Sequence, residues 1–78
     1  MITSIVVLPE RVKREAKHLL AQLDEAPSVV LAVHVATKAE GFVLALAAAE
    51  VMQADDARNL EMIFETAFQK RMNELMVT

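Results

Sequence analysis

Three features of this 78-residue chain point to a mainly α-helical domain of three helices, the last two forming an antiparallel hairpin. There is one glycine and there are two prolines, a poor supply for the many turns of a sheet-rich fold. Thirteen alanines, the best helix formers, are spread along the sequence. Apolar residues recur at three- and four-residue spacing in two long segments. Seventy-eight residues make a single domain over positions 1–78.

The first helix starts at Pro9, a residue suited to a first helical turn. Val12, Ala16, Leu19, Leu20 and Leu23 form its apolar stripe. It stops near Asp24-Glu25-Ala26-Pro27, because the residue before a proline disfavours helical backbone.

The second segment, VVLAVHVATKAEGFVLALAAAEVM from Val29 to Met52, admits two readings. As one helix, it opens at Pro27-Ser28 and carries Val35, Ala39, Phe42, Leu46 and Ala49 at helical spacing. As an α+β alternative, Val29, Leu31, Val33 and Val35 alternate with smaller residues in a strand at 29–36. Thr37 and Glu40 then make a T-x-x-E capping box. A first strand at 2–8 completes that alternative. The helical reading is preferred, and both agree on helix after Thr37. A membrane span is disfavoured. Lys38 and Glu40 interrupt the run at its middle, each costing about 2.5–3.5 kcal/mol in a bilayer, and the longest charge-free run beyond them is Gly41–Ala49.

From Phe42 to Met52 the helix is apolar on every side except for Glu50. A helix apolar all round is expected to be buried all round. Two amphipathic neighbours in so short a chain cannot enclose it, so it is expected to lie between them and a second subunit. Phe42, Ala45, Leu46, Ala48 and Ala49 are the interface candidates. The 55% apolar composition and the absence of cysteine point the same way. Small domains without disulfides or metals commonly complete their cores by oligomerisation.

The last helix starts around Gln53–Asp56, with Asp55 and Asp56 in the first turn, where carboxylates suit the helix dipole. Leu60, Ile63, Phe64, Ala67, Phe68, Met72 and Leu75 form its stripe. Arg71 falls inside that stripe and is expected to snorkel or to pair with Glu74.

Charge is uneven. Glu10–His18 holds four basic residues against two acidic ones, whereas the other sixty-nine residues hold four basic and nine acidic, for a total of −3. Arg11, Lys13, Arg14 and Lys17, with His18, lie opposite the apolar stripe of the first helix, facing water or an anionic partner. Met62 falls on the polar side of the last helix and is a further partner-contact candidate. No aromatic side chain interleaves with the basic residues, so stacking on bases has no support.

The stretch SIVVLPERVKREAKHLLAQL resembles the opening of the ribbon-helix-helix DNA-binding proteins. In these a short strand and Leu-Pro precede a helix with apolar positions such as Val12, Ala16 and Leu19. The likeness covers Ser4–Leu23, about a quarter of the chain. It implies a small DNA-binding transcriptional regulator reading bases from its ribbon. Two departures accompany it. The outward ribbon residues here are Ile5 and Val7, apolar where the family has polar ones, and the family's Ser/Thr-capped second helix has no clear counterpart after Pro27.

Chemical motifs are absent. Glu15 and His18 stand one turn apart, read as a surface ion pair rather than half of a metal site. His34 lies in the apolar stretch and is expected to be buried and bonded to a backbone carbonyl. The one glycine, Gly41, makes no phosphate loop. No catalytic residue, cofactor or metal is expected. The sequence therefore reads as a non-enzymatic, cytoplasmic, self-associating protein that regulates or inhibits a protein partner. A nucleic-acid partner is the alternative, and no membrane partner is expected.

Overall fold

A computed structural model describes residues 9–77, which form three helices: α1 (Glu10–Asp24), α2 (Val29–Ala48) and α3 (Ala54–Val77). No strand occurs among the described residues. The strand considered at 29–36 is the first two turns of α2, and the one considered at 2–8 lies outside the described residues.

Local chemistry explains each boundary. Pro9 caps α1, and its carbonyl accepts from Lys13 N at 3.0 Å. The helix ends before Pro27, whose ring blocks continuation. Ser28 then adopts extended backbone and its Oγ accepts from Leu31 N at 3.2 Å, an ordinary N-cap. This cap settles the ambiguous segment. Once Leu31 N is satisfied by Ser28, the backbone of Val29–Ala36 closes its own hydrogen bonds and needs no neighbouring strand. It also supplies a Ser-capped second helix after Pro27, at the Pro27-Ser28 start of the helical reading. Thr37 is consequently mid-helix, and its hydroxyl donates to Val33 O at 2.9 Å rather than capping a new start.

α2 ends at Ala48, a turn earlier than the apolar run suggests. Val51 N donates to Leu46 O at 2.9 Å and Glu50 N to Ala47 O at 3.1 Å. Glu50 takes φ 58°, the left-handed conformation. This pair of bonds around a left-handed residue is the Schellman ending, usually built with glycine. The short connection that follows turns α3 back antiparallel to α2.

The core is made where the three apolar stripes meet. Leu19 and Leu23 come from α1, Ala32, Val35, Ala39 and Val43 from α2, and Ala57, Leu60 and Phe64 from α3. The alanines of α2 let α3 approach closely, so Leu60 and Phe64 fill the space between them. The contact between α2 and α3 is the most extensive in the molecule. Ala26 and Met52, one in each connection, close the two ends of the core.

Arg71 is held between two acceptors. Its Nε donates to Ala26 O at 2.8 Å and its guanidinium bonds Glu74 Oε1 at 2.9 Å. It thus ties the last third of α3 to the α1–α2 connection, and of the two expectations for it the Glu74 pairing is the one formed. Beside it Lys70 stands 3.6 Å from both Asp24 and Glu74.

Candidate interaction surfaces

α1 displays its polar face to solvent. Arg11, Lys13, Arg14, Lys17 and His18 are all exposed. The reason is the helical wheel: Ala16, Leu19 and Leu23 take the inward positions and leave these side chains outside. No ion pair engages the four basic residues among the described residues, and none joins Glu15 to His18. The expected Glu15–His18 pair is therefore not formed. Both side chains point outward but reach no common contact. Arg11, Val12, Arg14 and Glu15 share a shallow hollow with Phe42 of α2, which places the basic end of α1 beside the middle of α2.

The outer face of α2 is the second surface. Val29, Val30, Leu31, Val33 and Leu44 are exposed, Val30 to 76% and Leu44 to 61%. Single exposed apolar residues are ordinary on a protein surface, but five on one helix of a short chain are not. The helix that was expected to be apolar and buried on all sides is covered on its inner side only. Phe42 and Leu46 are half-buried and pack against the chain's own core, whereas Ala45, Ala48 and Ala49 are exposed. His34 corrects its expectation as well. It is exposed, because it lies across the helix from Ala32, Val35 and Ala39, the residues that face inward. No polar or charged side chain is buried among the described residues.

Between α2 and α3 an open groove of about 460 Å³ runs along the edge away from α1. Val33, Ala36, Phe64 and Phe68 give it an apolar floor, and Glu40, Glu61 and Glu65 rim it. Met62 lines it too and is 60% exposed, consistent with its place off the apolar stripe. Sequence reasoning missed this groove. It depends on which edges of two helices meet, and three glutamates on two different elements give no local pattern.

A shifted titratable group belongs to the Arg71 cluster. The hydrogen bond from Arg71, with lesser help from Lys70, holds the Glu74 carboxyl below the usual glutamate range. That is a structural ion-pair effect and not a sign of acid–base chemistry. Among the described residues no three His, Asp or Glu side chains gather in a way that could hold a metal ion. α2 is long and apolar enough to cross a membrane, with mean hydropathy 1.7 over its most apolar window. That is a matter of length and composition alone, and only 22% of that window is buried in the bundle.

No protein-family profile matches this chain, and comparison with curated proteins and with solved structures finds no match.

Proposed function

We propose that this is a non-enzymatic protein that self-associates and acts by binding a protein partner, whose activity it regulates or inhibits. One observation carries the reading: α2 presents an apolar outer face, with Val30 and Leu44 largely exposed, although its inner face already contributes to a closed core. Apolar area left outside a core gains roughly 25 cal/mol for each Å² later removed from water. A face of that kind on a short chain is the usual mark of a surface made to be covered. The exposed basic row of α1 offers a second, separate surface, suited to steering an acidic partner protein into contact.

The test of self-association is sedimentation velocity or light scattering over micromolar concentrations. A dimer or larger species is expected, and a stable monomer throughout refutes it. Ala48→Glu separates assembly from folding, because Ala48 is exposed in the single chain. It should retain its helicity and lose self-association. Leu46→Glu places a charge against the chain's own core and should unfold it.

A DNA-binding reading stands second, favoured by the exposure of Arg11, Lys13, Arg14 and Lys17 along one helix. Mobility-shift titrations at several salt concentrations test it. Each phosphate contact contributes about 0.9 to the slope of log K against log salt, and a flat or unmeasurable response excludes this reading.

A further inference from the structure

We propose that the groove between α2 and α3 is the docking site for an amphipathic helix of a partner protein, one with an apolar stripe flanked by lysine or arginine. This rests on the reading that the chain binds a protein partner and is independent of self-association.

The charge of the groove selects the occupant. Its floor is apolar, Glu40, Glu61 and Glu65 stand on its rim, and no basic residue is among its described lining. None of the three carboxylates has an ion-pair partner among the described residues. Glu65 accepts a hydrogen bond from Gln69 Nε2 at 3.2 Å, but that donor is neutral and leaves the charge uncompensated. Lys38 and Arg58 are the basic residues nearest along each helix, and neither lines the groove or pairs with its glutamates. The carboxylates are spread along the rim and do not gather as metal ligands would. Negative charge that the chain leaves unanswered beside an apolar floor favours a partner both apolar and cationic, and repels nucleic acid and anionic lipid.

The shape of the groove selects a helix. Because α2 and α3 run antiparallel, Glu40 and Glu61 fall at the end nearer their connection and Val33 and Phe68 at the other, with Thr37 and Glu65 between. Val33 to Glu40 and Glu61 to Phe68 each rise about 10 Å, so the walls are two turns long. That length suits anchors at i, i+3 or i+4, and i+7 of a docked helix. An extended peptide is a poor fit. The walls are helices whose backbone bonds are internal, so a strand on the floor would leave its own N–H and C=O groups unpaired over apolar side chains. A helix satisfies those groups within itself. A small molecule finds little to orient it, because Thr37 is the one uncharged polar side chain in the described lining, and its hydroxyl already donates to Val33 O at 2.9 Å. Met62, 60% exposed at the groove, adds a flexible, polarisable contact for an apolar anchor. Lysine or arginine stems lie along the floor while their charged heads meet the rim.

The probes are two synthetic peptides of about 18 residues, long enough to form a helix. One has leucine at helical spacing and lysine elsewhere, and the other has glutamate in place of lysine. Fluorescence anisotropy measures the binding of each to the full chain. At low salt the lysine peptide should bind at least about tenfold more tightly than the glutamate peptide. The amide NMR signals of Val33, Thr37, Glu61 and Glu65 should shift most. Glu61→Lys with Glu65→Lys alters two exposed side chains, so circular dichroism should show the fold retained. It should weaken the lysine peptide about tenfold and reverse the preference between the two. Glu15→Lys with Glu25→Lys makes the same change of net charge away from the groove and should stay within about twofold of the parent. Val33→Ser keeps the rim, thins the floor and should weaken binding about threefold. Equal binding of the two peptides, or an equal loss in the control reversal, overturns the groove site. Binding with shifts centred on another surface overturns it and leaves the protein-partner reading in place, whereas no binding of either peptide counts against both. A parent dimer that the lysine peptide dissociates and that Glu61→Lys with Glu65→Lys abolishes also overturns it, because a second copy then fills the groove.

Discussion

Arg71 offers a sharp test of how this bundle is held together, because two lines of reasoning disagree about it. It occupies a position in the apolar stripe of α3, between Phe68 and Leu75, and its side chain is 23% exposed. If the stripe alone mattered, Arg71→Met should be neutral or stabilising, as when buried ionic groups are replaced by apolar ones of similar size. The structure indicates the opposite. Arg71 Nε donates to Ala26 O at 2.8 Å, across the gap between α3 and the α1–α2 connection. Ala26 itself is buried, so loss of the donor leaves its carbonyl short of a partner in a poorly hydrated place. A hydrogen bond from a charged donor contributes about 1.5–3 kcal/mol, and partial exposure of the guanidinium puts the expectation near the lower end. Arg71→Met should therefore destabilise the fold by about 1.5–2 kcal/mol. For a domain of this size each kcal/mol moves the midpoint by about 4–8 °C, so Tm should fall by about 6–16 °C.

Thermal unfolding followed by circular dichroism measures this, with protein concentration held fixed because association also shifts the midpoint. Glu74→Gln completes the experiment. Its carboxyl is held low by Arg71, so the folded state prefers the ionised form. That contribution is present above the unfolded glutamate value of about 4.3 and is lost as pH falls through the lower folded value. Glu74→Gln should thus lower stability slightly at neutral pH, the pair being exposed, and match the parent in acid, so that the acid side of the profile flattens. An Arg71→Met protein as stable as the parent at neutral pH would refute the role assigned to the Ala26 bond.

Three further outcomes are expected. Glu50→Gly should raise stability by roughly 0.5–1 kcal/mol in denaturant titrations, because glycine takes the left-handed conformation at the end of α2 without the penalty a side chain incurs. Ala39→Leu should cost about 1–3 kcal/mol by over-packing the α2–α3 contact, whereas Ala45→Leu, on the exposed side of the same helix, should leave the fold intact. The double reversal Arg14→Glu with Lys17→Glu should preserve helicity and midpoint, since both side chains point to solvent, while slowing association with any acidic protein partner at low salt.

The parts of the fold legible in the sequence are those where one physical signal dominates. α1 and the body of α3 carry a single apolar stripe each, and Pro27 and the Asp55-Asp56 pair mark their limits plainly. Arg71 was legible for the same reason, because a charge inside a stripe has few ways to be accommodated. α2 was harder. Its apolar residues occupy both the inner and the outer face, so helical periodicity is nearly cancelled and a period-two alternation competes with it. The deciding group is the Ser28 hydroxyl, the cap at which the helical reading opened. The end of α2 was misplaced because the signal for a Schellman ending is a glycine, and here a glutamate fills the position. His34 was misjudged because an apolar neighbourhood in sequence was taken for burial. On a helix with two apolar faces that inference fails.

The two apolar faces of α2 constrain what the helix can be for. The inner face needs only Ala32, Val35, Ala39 and Val43 to receive α1 and α3, and these are small enough for close packing. Val30, Leu31, Val33 and Leu44 add nothing to that core, and leaving them in water brings no stability to a single chain. A lipid environment would accept them but not Lys38 and Glu40, which stand midway along the helix where neither reaches an interface easily, at about 2.5–3.5 kcal/mol each. A second protein surface would accept both kinds of residue, the apolar ones covered and the charged ones left at a wet rim. Lys38 and Glu40 beside Val30, Leu31, Val33 and Leu44 are what a membrane would penalise and what the rim of a protein contact would tolerate.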